Sequence, residues 1–261
     1  MLKGLLLWIL LYSGLAHACV LRMAAETNFP PYLLLKEQSW QGQTVELAQL
    51  LATEVGCELQ LVDIPWLRAL AQIKTGELDF VSHLSYSDAR TKDFSFVGPH
   101  HMESMWLIGN PTKLPKFKTL KDLGENVDLG RIAELIGAYY GEEFALLKQN
   151  PFFARQLVSI SSIQDKLALL EAGRVNAILE DDTVLHYWQN QRYKNAEKYH
   201  PLVLVYQSPV YFGFSKNTLS KPMLIKLQKA WQKLYEQGEI TKVVQRYQAK
   251  TADALTPAAR L

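Results

Sequence analysis

The sequence has almost no imbalance of charge. Its 261 residues carry 28 Lys and Arg against 26 Asp and Glu, a formal charge of +2. The basic residues are spread along the chain rather than clustered, which argues against nucleic acid or an anionic membrane surface as the main partner. Cysteine is scarce, with Cys19 and Cys57 alone. No Cys–His pairing suits a nucleophile, and no Gly-x-Ser-x-Gly elbow occurs. Beyond residue 18 no apolar run is long enough to cross a membrane. What remains is ordinary globular composition, 48% hydrophobic and 21% charged. A chain of this length fills one large core or two modest ones.

The first eighteen residues stand apart. "MLKGLLLWILLYSGLAHA" has Lys3, then an apolar stretch, then Ala16-His17-Ala18. That is the pattern of a secretory signal peptide. A membrane anchor is the other reading, but the apolar stretch is well short of the roughly 20 residues a span needs. The mature chain is expected to start at Cys19 and to be soluble and exported. Export permits a disulfide. Cys19 and Cys57 each open a strand-like run, so parallel neighbours would bring them together. A lipid on Cys19 is the rival use of that thiol, although His17 stands where a lipoprotein signal has a small residue.

Strand-like and helix-like runs then alternate, which predicts α/β architecture. "VLRMAAE" reads as strand, "TVELAQLLATEV" as helix, "ELQLVDI" as strand, "PWLRALAQIKTG" as helix and "LDFVSHL" as strand. "MWLIG" reads as a further strand. The order recurs in "LGRIAELIG", "YYGEEFALLKQ", "RQLVSIS", "IQDKLALLEAG" and "VNAILED". "LAQIKTGELDFVSHLS" and "LALLEAGRVNAILEDD" match directly, each closing a helix at glycine before an apolar strand. These patterns predict two lobes of βαβαβ plan. "LVLVYQ" and "YFGFSK" read as more strands, and "MLIKLQKAWQKLYEQ" as a helix with Leu224, Leu227, Trp231 and Leu234 on one face. The expected division is 19–108 plus 211–250 for one lobe, 109–210 for the other, and a frayed tail at 251–261. Two crossovers, near 108–111 and 207–211, join the lobes.

In open α/β sheets, ligands bind beyond the C-terminal ends of strands. One lobe offers Ser85, Ser87 and Arg90 there. The other offers Glu180, Asp181 and Asp182. Arginine presents a planar fork to a carboxylate, and a carboxylate suits an ammonium, so the pair fits a zwitterion. The plainer readings are a surface pairing of Arg90 with Asp88 or Asp93 and a helix-capping role for the aspartates before "TVLHYW".

The chain resembles the extracellular solute-binding proteins of family 3, the periplasmic amino-acid-binding type. "NFPPYLLL", "GQTVELAQLLATEVG", "LAQIKTGELDFVSHLSYSDARTKDFSFVGP", "LALLEAGRVNAILEDD" and "GEITKVVQRY" carry the likeness in order and spacing over nearly the whole mature chain. It implies a two-lobed type II periplasmic binding fold, each lobe a mostly parallel sheet flanked by helices, closing on a small polar ligand. Arg90 matches the carboxylate-binding arginine, Ser85 and Ser87 its cradle, and Asp181, or else Asp182, the ammonium-binding aspartate. Phe29 matches a stacking ring, with Tyr32 close behind, and Trp66 an apolar contact. Where relatives have Gly-Thr, this chain has Gly137-Ala138-Tyr139, so a hydroxyl is missing and Tyr139 adds bulk. His83 stands where relatives have a small hydroxyl residue.

The resemblance implies no cofactor and delivery to an inner-membrane ABC permease, and a monomer is expected because tail and surface show no clear apolar seam. The same fold occurs in exported cyclohexadienyl dehydratases. For such an enzyme Glu26, His83 and Asp181 are the candidate acids or bases; Glu26 and His83 count as pocket residues under either reading. A free-standing sensory or scaffold module is the third class. The "HHME" run at 100–103 offers metal ligands only superficially, because adjacent strand residues point to opposite faces.

Overall fold

A computed structural model describes residues 19–253 apart from 27–28, 125–127, 164, 192 and 194, with the backbone alone for 248–253. The expected leader at 1–18 lies outside the described residues, as does 254–261 of the expected tail. In chain order the elements are strand β1 (Cys19–Ala25), β2 (Leu34–Lys36), β3 (Ser39–Gln41), helix α1 (Gln43–Glu54), β4 (Cys57–Asp63), α2 (Trp66–Thr75), β5 (Phe80–Ser85) and β6 (Phe94–Gly109). Then come β7 (Ile132–Leu135), α3 (Gly141–Leu147), α4 (Pro151–Ala154), β8 (Leu157–Ile160), α5 (Asp165–Glu171), β9 (Ala177–Asp181), α6 (Asp182–Asn190), β10 (His200–Ser215), α7 (Lys221–Glu236) and α8 (Glu239–Asp253).

Eight strands form one sheet in the order β4-β1-β5-β10-β6-β9-β7-β8. At one end β1 pairs in parallel with β4 and β5. At the other, β7 pairs in parallel with β8 and β9. The two ends therefore repeat one plan, as the matching glycine-terminated stretches predict. Parallel strands need crossover helices, which α1 and α2 supply to the first end and α3 to α5 to the second. Pro65 precedes α2, and Gly76 ends it in the left-handed conformation at φ 86°. Glycine is favoured at that position because it has no Cβ to clash.

Between the two ends run β6 and β10, each 16 residues long and paired antiparallel. Here the sequence reading is corrected twice. "MWLIG" is the second half of β6 rather than a separate strand, and "LVLVYQ" and "YFGFSK" belong to one strand, β10. Pro99 and Pro209 interrupt both patterns, since proline cannot donate to the ladder and weakens a strand assignment. A third correction concerns the tail: 251–253 belong to α8.

Cys19 and Cys57 are register partners on β1 and β4, with Cα atoms 4.5 Å apart, and their sulfurs are bonded. The disulfide is thus the use the thiols find. Helix α7 buries Leu224, Leu227, Trp231 and Leu234. Trp231 meets Phe212 of β10 edge to face, and Phe214 stacks on Phe80. That packing holds the returning C-terminal segment against the first end of the sheet. No helix among the described residues is long and apolar enough to cross a membrane.

Candidate functional site

Strand β5 ends at Ser85, and a 3-10 turn at Asp88–Lys92 follows. The Ser87 carbonyl accepts from the Arg90 N–H at 3.0 Å, which closes the turn. The Arg90 side chain folds back over the strand end. Its two terminal nitrogens donate to the carbonyls of Ser85, at 2.7 Å, and Gly137, at 2.8 Å. Neither Asp88 nor Asp93 pairs with it: Asp88 accepts from the Tyr86 hydroxyl, and Asp93 sits 3.4 Å from Lys74. Gly137 follows β7, so the arginine ties the two ends of the sheet together. At φ +80°, a Cβ on Gly137 would stand 2.9 Å from Leu70 of α2. The positive φ favours glycine here, and a Cβ would also have to displace the Leu70 methyl.

Beside Arg90 is a cavity of about 60 Å³, space for a few water-sized groups. Phe29, Trp66 and Tyr139 supply aromatic walls, and His83, Ser85 and Ala138 also line it. Seven of the residues expected from sequence thus meet at one place. The Tyr139 ring centroid lies 5.9 Å from the Arg90 guanidinium. Among the described residues, the buried indole N–H of Trp66 and both ring nitrogens of His83 find no hydrogen-bond partner.

Three expected residues lie elsewhere. Asp181 caps α6: one oxygen accepts from Thr183 N–H and the Tyr32 hydroxyl, and the other from Ser104 N–H. A carboxylate with three donors at a helix start is satisfied where it stands, and it does not line the cavity. Asp182, the alternative, is the first residue of α6 and does not line it either. Ser87 serves the turn through its carbonyl. Glu26 accepts from Trp66 N–H at the start of α2, and its other oxygen accepts from the Ser162 hydroxyl and Ile163 N–H beyond β8. It bridges the two ends of the sheet and lines a neighbouring cavity of about 30 Å³.

The charged residues of the cavity that the sequence reading missed are Glu103 and Lys166; Glu180, named in the acidic run but given no role of its own, lines it too. Lys166 and Glu180 form an ion pair at 3.0 Å with both side chains at most 3% exposed. Glu180 was one residue away in the acidic run, and β9 turns it, rather than Asp181, toward the cavity. Lys166 lies on the apolar stripe of α5 with Leu167 and Leu170. A lysine on such a stripe is the available signal, since a buried ammonium needs a partner. Glu103 is the lone carboxylate in "MESMWLIG", an apolar stretch of a central strand.

Burial sets the electrostatics. It pushes Glu103 up to about 8, helped by the charges of Asp181 and Glu180. It also raises Asp181 to about 7, with Asp182 adding to the effect. Arg90 is lowered to about 10 by desolvation, which the Glu103 charge partly opposes. It remains a cation throughout the neutral range.

Three histidines form a further cluster against this site. His83 lies 4.9 Å from His101 and 5.4 Å from His100, ring to ring. The Nδ1 atoms of His100 and His101 approach to 2.7 Å. Adjacent strand residues normally diverge, so this corrects the expectation of opposite faces. The cause is a bulge: Val210 pairs with His101 and Phe212 with Val97, leaving residues 98–100 opposite Tyr211. No group of three or more metal-ligating side chains is arranged for a metal ion among the described residues.

Burial lowers all three imidazoles, His100 to about 4 and the other two well below 6.5. A depressed histidine contributes stability that is present above the unfolded value of 6.5 and is lost as pH falls below it. Glu103 and Asp181 act in the opposite sense: their raised values make the fold lose stability as pH rises from the ordinary carboxylate range up to about 8 and about 7. The histidine part is isolated by His83→Phe, whose ring suits neighbours Phe29 and Tyr32, at 4.9 and 4.4 Å. Between pH 8 and pH 5 the variant should gain about 2 kcal/mol on the wild type. Urea melts at both values read this, and a constant difference would contradict it.

Two repeated βαβαβ ends, two long shared strands and a charged cavity beside Arg90, which joins the ends, define a two-lobed type II periplasmic binding fold. The chain belongs to the bacterial extracellular solute-binding proteins, family 3, whose family model matches residues 21–250. No curated protein sequence matches it. Among solved structures it is similar to an ancestral arginine-binding protein bound to arginine, with TM-score 0.74, 18% identity, and coverage of 87% of this chain and 97% of that one. It is also similar to an amino acid ABC transporter substrate-binding protein from Streptococcus pneumoniae bound to L-arginine, with TM-score 0.70, 22% identity, and coverage of 91% and 97%. A third is an ancestral amino-acid-binding protein, a precursor of cyclohexadienyl dehydratase, with TM-score 0.69, 18% identity, and coverage of 87% and 94%.

Proposed function

We propose that the chain is an exported, periplasmic protein that captures a small polar, amino-acid-like solute and presents it to an inner-membrane ABC permease. The carrying observation is Arg90, which lines the cavity while two of its five donors hold carbonyls from opposite ends of the sheet. The remaining donors suit a carboxylate. Phe29 and Trp66 supply apolar contact, and His83 and Trp66 offer polar groups that have no other partner among the described residues. Arginine in two of the similar structures supports an α-amino acid as the ligand class.

Residues 19–108 with 211–250 act as one lobe and 109–210 as the other, and they hinge about β6 and β10. Arg90–Gly137 and Glu26–Ser162 hold the closed form. A ligand that touches both lobes only when they are closed shifts the population that way. Binding rather than turnover is favoured because Glu26 and Asp181, two of the three candidate acids, are engaged by backbone N–H groups. The test is a thermal-shift screen of the common L-amino acids, each alone, followed by product analysis. At a hundred times Kd, a true ligand adds about 2.7 kcal/mol of stability. A screen in which no amino acid raises the melting temperature overturns this function, and turnover of a hit replaces binding by catalysis.

A further inference from the structure

We propose that Glu103, on the shared strand β6, receives the cationic group of the ligand, so that the site selects small zwitterions over simple acids or amines; this rests on the reading of the cavity as a solute site. Three buried carboxylates cluster here: Glu103, Glu180 and Asp181, at 8%, 1% and 1% exposure. Glu180 is held by Lys166. Asp181 is held by Thr183, Ser104 and Tyr32. Among the described residues, the Glu103 carboxylate accepts a single hydrogen bond, from the Ser85 hydroxyl, stretched to 3.5 Å. Its cross-strand partner on β10 is Ser208, whose buried hydroxyl has no hydrogen-bond partner among the described residues.

The charge count points the same way. Three carboxylates face two cations, Lys166 and Arg90. If Arg90 is given over to the ligand's carboxylate and Lys166 to Glu180, Glu103 needs a positive partner or a proton. An ammonium, with its donors only, suits a carboxylate with open acceptors. Arg90 and Glu103 share the same cavity, so both ends of one short zwitterion are met there.

Other groups that act on Glu103 are fixed. From β9 these are Asp181 and Glu180, from α5 Lys166, from β5 Ser85. From the turn after β5 it is Arg90, and Tyr32 and Tyr140 complete the surroundings. Glu103 itself is raised to about 8 by burial and the two acidic neighbours. It is therefore protonated below that value, and an incoming ammonium must displace the proton. Affinity for an amine-bearing ligand should fall as pH drops below about 8, approaching tenfold per unit.

The experiment compares wild type and Glu103→Gln, an isosteric change, against the common L-amino acids and the matching 2-hydroxy acids. Wild type should bind an amino acid and release a proton, read by calorimetry in two buffers of different ionisation enthalpy. Glu103→Gln should lose at least tenfold in affinity for that amino acid, keep its affinity for the hydroxy acid, and show no proton release. Equal amino-acid affinity in both proteins, with the same pH profile, overturns the role of Glu103 and leaves the solute site standing. Failure of wild type to bind any amino acid overturns both. Absence of proton release by wild type overturns the assignment even if Glu103→Gln does not fold.

Discussion

Arg90→Ala should lower affinity for any carboxylate ligand by 2–5 kcal/mol, roughly 30- to 5,000-fold. The reason is the geometry around the guanidinium. Two of its donors are fixed by the carbonyls of Ser85 and Gly137, so the plane of the fork is set before a ligand arrives. A preformed fork loses little freedom on binding, and a charge-assisted pair in a sheltered cavity is stronger than one in water. The fold should survive, because the hydrogen bond to Gly137 lies at an exposed edge and water can replace the side chain there. The melting temperature without ligand is therefore expected to move only slightly. Arg90→Lys keeps the charge but loses the fork and should recover only part of the affinity. Calorimetric titration of the three proteins with a hit from the amino-acid screen decides the matter. Unchanged affinity in Arg90→Ala would remove Arg90 from the site.

How the sequence shows Arg90 but hides Glu103 is a matter of position. Arg90 follows an apolar strand in a βαβαβ repeat, and ligands gather beyond such strand ends. Ser85 is found by the same rule, whereas Phe29 and Trp66 come from the family resemblance. Glu103 is on a strand that belongs to both ends of the sheet, midway along its length, where no strand-end rule applies. Its neighbour Pro99 also makes the strand look broken. The acidic run "EDD" was legible as a pair of roles without their order. Asp181 takes the cap because its backbone is extended, at φ −68° and ψ 137°, just before α6. That leaves Glu180, one step back, facing Lys166. The histidine pair was misread because only the pairing register of β10 shows the bulge that turns both rings together. The overall plan was more legible than these details. Helix-closing glycines at Gly76 and Gly173, and the apolar runs after them, report local backbone needs that each stretch must meet by itself.

Lys166→Met should cost 3–5 kcal/mol of stability, which is a large share of the 5–15 kcal/mol typical of a folded domain. Lys166 and Glu180 are at most 3% exposed on their side chains, with Nζ and Oε2 3.0 Å apart. The same Oε2 has no hydrogen bond of ordinary geometry, so Coulomb attraction carries this contact. Among the described residues, Glu180 Oε1 accepts the nearby Asp181 N–H alone. Removing the ammonium leaves a fully buried carboxylate, with Glu103 and Asp181 close by to repel it. The penalty is that of an unpaired buried charge rather than the net worth of the pair. Lys166→Met with Glu180→Leu removes both charges and should recover most of the loss, or exceed wild type by 1–4 kcal/mol. Urea melts of the two proteins separate these terms. A loss below 1 kcal/mol in Lys166→Met would show that Glu180 is satisfied without Lys166. Glu180 would then be as free as Glu103 to meet a ligand's amine, and the reason for preferring Glu103 would be gone.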